Sequence, residues 1–339
     1  MAKMYKILFL TTIFMSTLIS VSSYSWFGMW LGLEINLLSI IPMMQVKKSI
    51  LSSESTIKYF LVQAMASTII MISVIFMVIK TELTSKIQIQ SSFLLMMNSA
   101  LLTKMGTAPF HFWFPEVLEG LDWMNCLLIL TWQKIAPMVL FMYNMNFNSF
   151  VVIVILASVT ISGILGINQI SVRKILAYSS ISHMGWMMST MISETIWFVY
   201  FAVYSLITLN LVIFFNKCKI FFLNQLYISM NNSIPMKLWF ITNFLSMGGI
   251  PPFLGFMPKW LTIQILVENS IIALPVVMII FTLISIFMYT RIAVSAMLLN
   301  TLNKNWVKIN YSIKSFVLAA VNFISVSSLV MITMAFNLY

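Results

Sequence analysis

Apolar positions along this chain come in runs of about 20 residues separated by short polar breaks, the length at which an α-helix crosses the hydrocarbon core of a bilayer. A membrane β-barrel would instead show segments of about ten residues with alternating polarity. Breaks at clusters of charge, glycine, proline and asparagine predict eleven helical spans, near 4–22, 26–45, 56–79, 92–112, 121–143, 149–168, 174–192, 195–216, 237–262, 270–297 and 315–338. The expected fold is therefore all-α and integral to a membrane.

Composition agrees with the pattern. Of 339 residues, 61% are hydrophobic and 8% charged, and mean hydropathy is +1.00, where a soluble domain carries about a quarter charged residues. So few charges could not clothe a soluble globule. Eleven spans of about 20 residues take up about 220, which leaves no room for a sizeable soluble domain. Cys126 and Cys218 both lie in apolar stretches, with no metal or disulfide spacing. His111 and His183 are the only histidines, and neither a P-loop nor a GxGxxG is present. The expectation is a chain that binds no metal, nucleotide or redox cofactor of its own.

The start MAKMYKILFLTTIFMSTLIS has the basic head and apolar stretch of a signal peptide, but it runs on into further apolar sequence without an A-x-A site. A retained first span is expected. With 29 methionines and a heavy isoleucine load, the composition also suggests an AT-rich organelle genome. Loops alternate sides between spans. Lys3, Lys6, Lys47, Lys48, Lys58, Arg173, Lys174, Lys217, Lys219, Lys237, Lys304, Lys308 and Lys314 fall on the N-terminal side, thirteen in all, against Lys80 and Lys86 on the other. That bias predicts an N-terminus in the cytoplasm or mitochondrial matrix. The net charge of +11 is then spread over one leaflet, where anionic lipid, not nucleic acid, is the expected partner.

One internal repeat stands out. Residues 105–116 read MGTAPFHFWFPE and 247–259 read MGGIPPFLGFMPK; one inserted proline aligns Met, Gly, Pro, Phe and Pro, and five of the nine prolines fall in these two segments. Chance similarity in a chain rich in Met and Phe is the alternative. The copies lie on spans four and nine, five crossings apart and so oppositely oriented, as in inverted-topology transporters with paired broken helices.

Four ionisable groups sit in apolar surroundings: Glu34, Lys104, Lys134 and Lys259. Each costs about 2.5–3.5 kcal/mol at mid-membrane, which makes all four candidate functional residues. Bland alternatives exist for each. Lys259 could snorkel from a helix end, Glu34 and Lys104 could form a fixed ion pair, and Lys134 could use carbonyls freed by Pro137. Arg291 lies nearer a basic end, where snorkelling is favoured. A glutamate beside a buried lysine keeps both ionised, and separating them favours the neutral forms, so a chain of such groups can hand protons along without a cofactor. His183, in AYSSISHMGW, has Ser179 and Ser180 one helical turn away; it is either a packing histidine or a member of a water wire, and His111 is a secondary candidate beside it. Glu116, Glu119 and Asp122 have catalytic-looking spacing, but are expected in a solvated or partner-facing loop.

Taken together, NQISVRKILAYSSISHMGWM at 168–187, MGTAPFHFWFPEVLEGL at 105–121, LTWQKIAP at 130–137 and MGGIPPFLGFMPKW at 247–260 closely resemble the antiporter-like membrane subunits of respiratory complex I, in their animal, arthropod-like mitochondrial form. The resemblance covers nearly the whole chain. It implies two inverted five-helix units with broken helices, here 1–145 and 146–298, followed by a loop and C-terminal helix at 299–339. It also implies a short form lacking the first three of the fourteen helices found in full-length relatives.

Site roles follow from the same resemblance. Glu34 is the carboxylate that partners Lys104 on the first broken helix, Lys134 the linking lysine, and Lys259 the terminal lysine. Two departures are visible: Lys104 precedes its Gly–Pro break while Lys259 follows its own, and the acidic residue many relatives carry before the 173–183 motif is absent. The implied activity is proton translocation from matrix to intermembrane space, within the inner mitochondrial membrane. NADH, FMN, iron–sulphur clusters and ubiquinone belong to other parts of the assembly. The implied partners are other membrane-arm subunits and lipids such as cardiolipin. A cation/proton antiporter subunit and a structural module with an idle channel are the rival readings.

Overall fold

In hydrocarbon every backbone N–H and C=O must be paired within the protein, which leaves helices as the outcome for long apolar runs. The computed structural model describes residues 4–45, 49–81, 88–145, 148–230 and 234–298. The span expected at 315–338 lies outside these residues. Contacts divide the chain into two units that meet at Asn148 and Ser149.

The first unit contains α1 (Met4–Ser22), α2 (Trp26–Met44), α3 (Ile50–Thr81), α4 (Gln88–Met105), α5 (Trp113–Gly120), α6 (Trp123–Leu130) and α7 (Trp132–Tyr143). The second contains α8 (Ser149–Gly166), α9 (Val172–Ser189), a 3₁₀ turn (Thr190–Ile192), α10 (Glu194–Cys218), α11 (Leu223–Met230), α12 (Ile234–Gly248), α13 (Phe256–Glu268) and α14 (Ala273–Leu298). Among the described residues the one β-type contact is an isolated bridge between Ser171 and Phe222.

Among the described residues seven stretches are long and apolar enough to cross a membrane: α1, α2, most of α3, the α6–α7 pair, α8, α10 and α14. The other described segments expected to cross are the two interrupted ones, α4–α5 and α12–α13, and α9. In α9, 15 of 18 residues are buried, five of them serine or histidine in the run Ser179–Ser189. A helix enclosed by protein does not need the apolar outer face that hydrocarbon demands, which explains its low hydropathy. Hydroxyls inside the helices close on their own backbone, as in Ser39 to Asn36 O and Ser67 to Ala64 O, both 2.8 Å. Small residues let helices approach: a Cβ on Gly32 of α2 would lie 2.7 Å from the Ser20 nitrogen of α1.

Three expectations need correction. Glu116 and Glu119 are not in a loop: both lie on α5, and Asp122 precedes α6 at its N-cap. The span expected at 121–143 is not continuous: it breaks at Thr131 (φ −115°, ψ −72°), and α7 then runs on through Pro137. The repeat, finally, needs no inserted proline. Gly106 and Gly249, Pro109 and Pro252, Pro115 and Pro258, and the helix starts Trp113 and Phe256 all stand 143 residues apart.

Candidate functional site

Both broken segments end their first half-helix in the same way. At C′, Gly106 (φ +70°) and Gly249 (φ +74°) adopt the left-handed conformation that residues with a Cβ avoid. Gly106 N donates to Thr103 O and Thr107 N to Leu102 O, both 3.2 Å; Gly249 N donates to Ser246 O at 3.0 Å and Ile250 N to Leu245 O at 3.4 Å. This is the paired Schellman closure, found twice. The prolines then prevent the helix from resuming until α5 and α13.

Three of the expected residues are lysines more than nine-tenths buried: Lys104 at 7% exposure, Lys134 at 2% and Lys259 at 9%. Lys104 stands in the last turn of α4, and its carbonyl accepts from Gln63 Nε2 of α3 at 3.2 Å. Glu34, half-buried on α2, is the acidic group whose charge acts on Lys104. The two do not close to contact. Among the described residues the ion pairs are those of Lys58 with Glu54 and with Glu116, both 2.9 Å and exposed.

Lys134 follows the Thr131 break by one turn, and its Nζ lies 5.4 Å from the centre of the Phe114 ring on α5, within cation–π range. Lys259, on α13, folds back onto the preceding half-helix. Its Nζ donates to Gly248 O at 2.7 Å, at the end of α12, where the partial negative charge of a helix C-terminus favours a cation. The same ammonium lies 5.8 Å from the Trp186 ring centre on α9.

His183, one turn before Trp186, is buried, and its Nδ1 is 3.0 Å from the Tyr200 hydroxyl of α10. Ser179 and Ser180 donate to Leu176 O and Ala177 O of their own helix. In the other unit, His111 is buried inside the first break, with Nδ1 3.3 Å from Pro109 O and its ring against Phe112. Arg291 is exposed near the end of α14, as snorkelling requires.

Glu34, Lys104 and Lys134 thus share the first unit, and Lys259 with His183 the second. The sequence reading missed Tyr200, Gly249, Phe114 and the amides Gln63, Asn36 and Gln133. The amides carried a usable signal, since an uncharged polar side chain in an apolar span also needs a partner.

Comparison with known proteins follows the same lines. A family profile described as NADH:quinone oxidoreductase/Mrp antiporter, TM, matches residues 23–285. NADH-ubiquinone oxidoreductase chain 2 of Anopheles gambiae is 44% identical over 342 residues, covering 99% of this chain and 99% of that protein. The chain 2 protein of Locusta migratoria is 44% identical over 302 residues, covering 89% and 88%. Among solved structures, a chain of respiratory complex I from Thermus thermophilus superposes with a TM-score of 0.84 at 19% identity, covering 95% of this chain and 77% of its own. A chain of the Mrp complex from Dietzia sp. gives 0.70 at 16% identity, covering 84% and 59%. Profile, full-length identity and fold agree, and the chain belongs to the NADH:quinone oxidoreductase/Mrp antiporter family of membrane subunits.

Proposed function

We propose that this chain is a proton-translocating membrane subunit of NADH:ubiquinone oxidoreductase, moving protons from the matrix to the intermembrane space. The observation that carries the reading is the burial of three lysines beside interruptions in membrane helices, where a permanent charge is costly and where freed backbone groups must meet protein or water. Lys104, Lys134 and Lys259 carry the proton in that order, Glu34 sets the charge state of Lys104, and His183 and His111 are further relay groups.

Coulomb arithmetic supports a switch. A carboxylate and an ammonium about 4 Å apart interact by about 4 kcal/mol at an effective dielectric near 20, and by about half that at twice the distance. Opening or closing the Glu34–Lys104 gap therefore changes the hold on a proton by about 2 kcal/mol, or about thirtyfold.

The wider reading is of eleven crossings with the N-terminus in the matrix, in the inner mitochondrial membrane, as two inverted five-helix units and a C-terminal helix. The chain binds no redox cofactor itself. NADH, FMN, iron–sulphur clusters and ubiquinone are handled elsewhere in the assembly, whose other membrane-arm subunits are its partners, along with anionic lipids such as cardiolipin. The fold alone also suits a cation/proton antiporter. Full-length identity to chain 2 proteins favours the respiratory role.

The test is proton translocation per NADH oxidised by the assembled complex in vesicles. Lys104→Ala and Lys104→Arg should both lower the ratio while NADH oxidation persists, because guanidinium keeps its proton. An unchanged ratio in Lys104→Arg would remove this lysine from the path and leave it a structural charge.

A further inference from the structure

The span Trp123–Tyr143 is broken at Thr131, and both halves are tied to α2 by side-chain amides. On the α6 side, Asn125 Nδ2 donates to Met43 O at 3.0 Å. On the α7 side, Gln133 and Asn36 form a reciprocal pair: Asn36 Nδ2 donates to Gln133 Oε1 and Gln133 Nε2 to Asn36 Oδ1, both 2.9 Å. Asn36 is buried and Gln133 half-buried. α2 otherwise packs chiefly against α1 and α3, so it reaches the broken span through these side chains.

The local ladder around Lys134 is weak for identifiable reasons. Lys134 N donates to Thr131 O at 3.2 Å, an i to i−3 bond across the break, and Pro137 has no N–H to offer the Gln133 carbonyl. The backbone ladder is thus irregular on both sides of Lys134, where the Asn36–Gln133 pair ties the turn to α2. Its neighbour Gln133 is clamped to Asn36, two residues along α2 from Glu34.

We propose that Asn36 and Gln133 are positioning residues for proton transfer, a paired-amide link that keeps Lys134 in register with the helix carrying Glu34. A shift of α2 that alters the Glu34–Lys104 gap is passed through the link to Lys134, so that the two lysines change environment together. This rests on the proton path proposed above, and the controls separate the two.

The experiment measures protons translocated per NADH oxidised by the assembled complex in vesicles, with Lys134→Ala as reference. The double variant Asn36→Leu/Gln133→Met replaces both amides by apolar groups of similar size, leaving no orphaned partner. It should assemble and oxidise NADH, but its ratio should fall to that of Lys134→Ala. The exchanged pair Asn36→Gln/Gln133→Asn keeps the combined reach and both amides, and should return the ratio to the wild-type value. Asn36→Ser, which cannot pair reciprocally, covers the case in which the apolar pair does not assemble; its ratio should also drop. A wild-type ratio in the apolar pair or in Asn36→Ser overturns the proposal, as does an assembled exchanged pair that stays defective. A normal ratio in Lys134→Ala would instead remove Lys134 from the path, and this link with it.

Discussion

The two breaks share a backbone and differ in who satisfies it. At the first, the carbonyls ending α4 take neutral donors: Gln63 Nε2 reaches Lys104 O at 3.2 Å and Trp113 Nε1 reaches Thr103 O at 3.1 Å. The Lys104 ammonium makes no hydrogen bond or ion pair among the described residues, and the charge that acts on it is that of Glu34. At the second, the lysine is itself the donor, 2.7 Å from Gly248 O. The apparent mismatch of one lysine before its break and the other after it therefore has a physical answer. Both serve the C-terminal end of the first half-helix, Lys104 by its place in the last turn and Lys259 by folding back. What differs is the partner: Lys104 has the charge of Glu34 acting on it without contact, and Lys259 has the Gly248 carbonyl.

The most damaging way to break this comparison is Gly249→Ala. A Cβ there would lie 2.8 Å from Lys259 Nζ and 2.9 Å from its Cδ and Cε, and the left-handed backbone adds about 1–2 kcal/mol of strain. The ammonium must leave Gly248 O. Protons translocated per NADH should fall to the level of Lys259→Ala, with the complex still assembled. A normal ratio would show that the Gly248 seat is dispensable.

How much of this could be read from the chain depends on the kind of residue. Glycine and proline clustered together in an apolar run announce a break, so both interruptions were legible, and so was the cost of Glu34, Lys104, Lys134 and Lys259 in hydrocarbon. The register of the repeat was not. Met105 and Met247 invited an alignment one residue off, because Gly248 and Gly249 are adjacent and only the backbone shows that the second bears φ +74°. The Thr131 break carries no glycine or proline, so nothing in the local sequence marks it. α5 was hidden because, at eight residues, it is shorter than any pattern reading for spans would seek. Tyr200 and the Asn36–Gln133 pair depend on contacts 17 and 97 residues apart, which no local pattern encodes.

A milder test uses the matching glycine in the first break. Gly106→Ala carries the same left-handed strain, but its Cβ would meet the Phe114 ring, 3.0 Å from Cδ2, and no lysine. Phe114 faces Lys134 at 5.4 Å, so the disturbance reaches a lysine of the proposed path only at second hand. Assembly should suffer about as much as in Gly249→Ala, while the proton ratio of the assembled fraction should drop less. Equal drops would mean that strain at the break, rather than the lysine seat, sets the loss.

The smallest effect is expected where sequence matching alone would place a functional residue. With the repeat in its 143-residue register, the position matching Lys259 is Glu116. The two could hardly be less alike in surroundings. Lys259 is buried between the end of α12 and the Trp186 ring, whereas Glu116 is exposed in the first turn of α5 and shares Lys58 with Glu54. An exposed ion pair gains little over solvated charges, and the Glu54–Lys58 pair survives on α3 without Glu116. Glu116→Gln should therefore leave assembly and the proton ratio at wild-type values, while Lys259→Gln, at the matching position, should lose pumping. The pair of measurements asks whether function follows position in the repeat or burial beside the break. A fall in the Glu116→Gln ratio would return the acidic residues of α5 to the list of candidate groups.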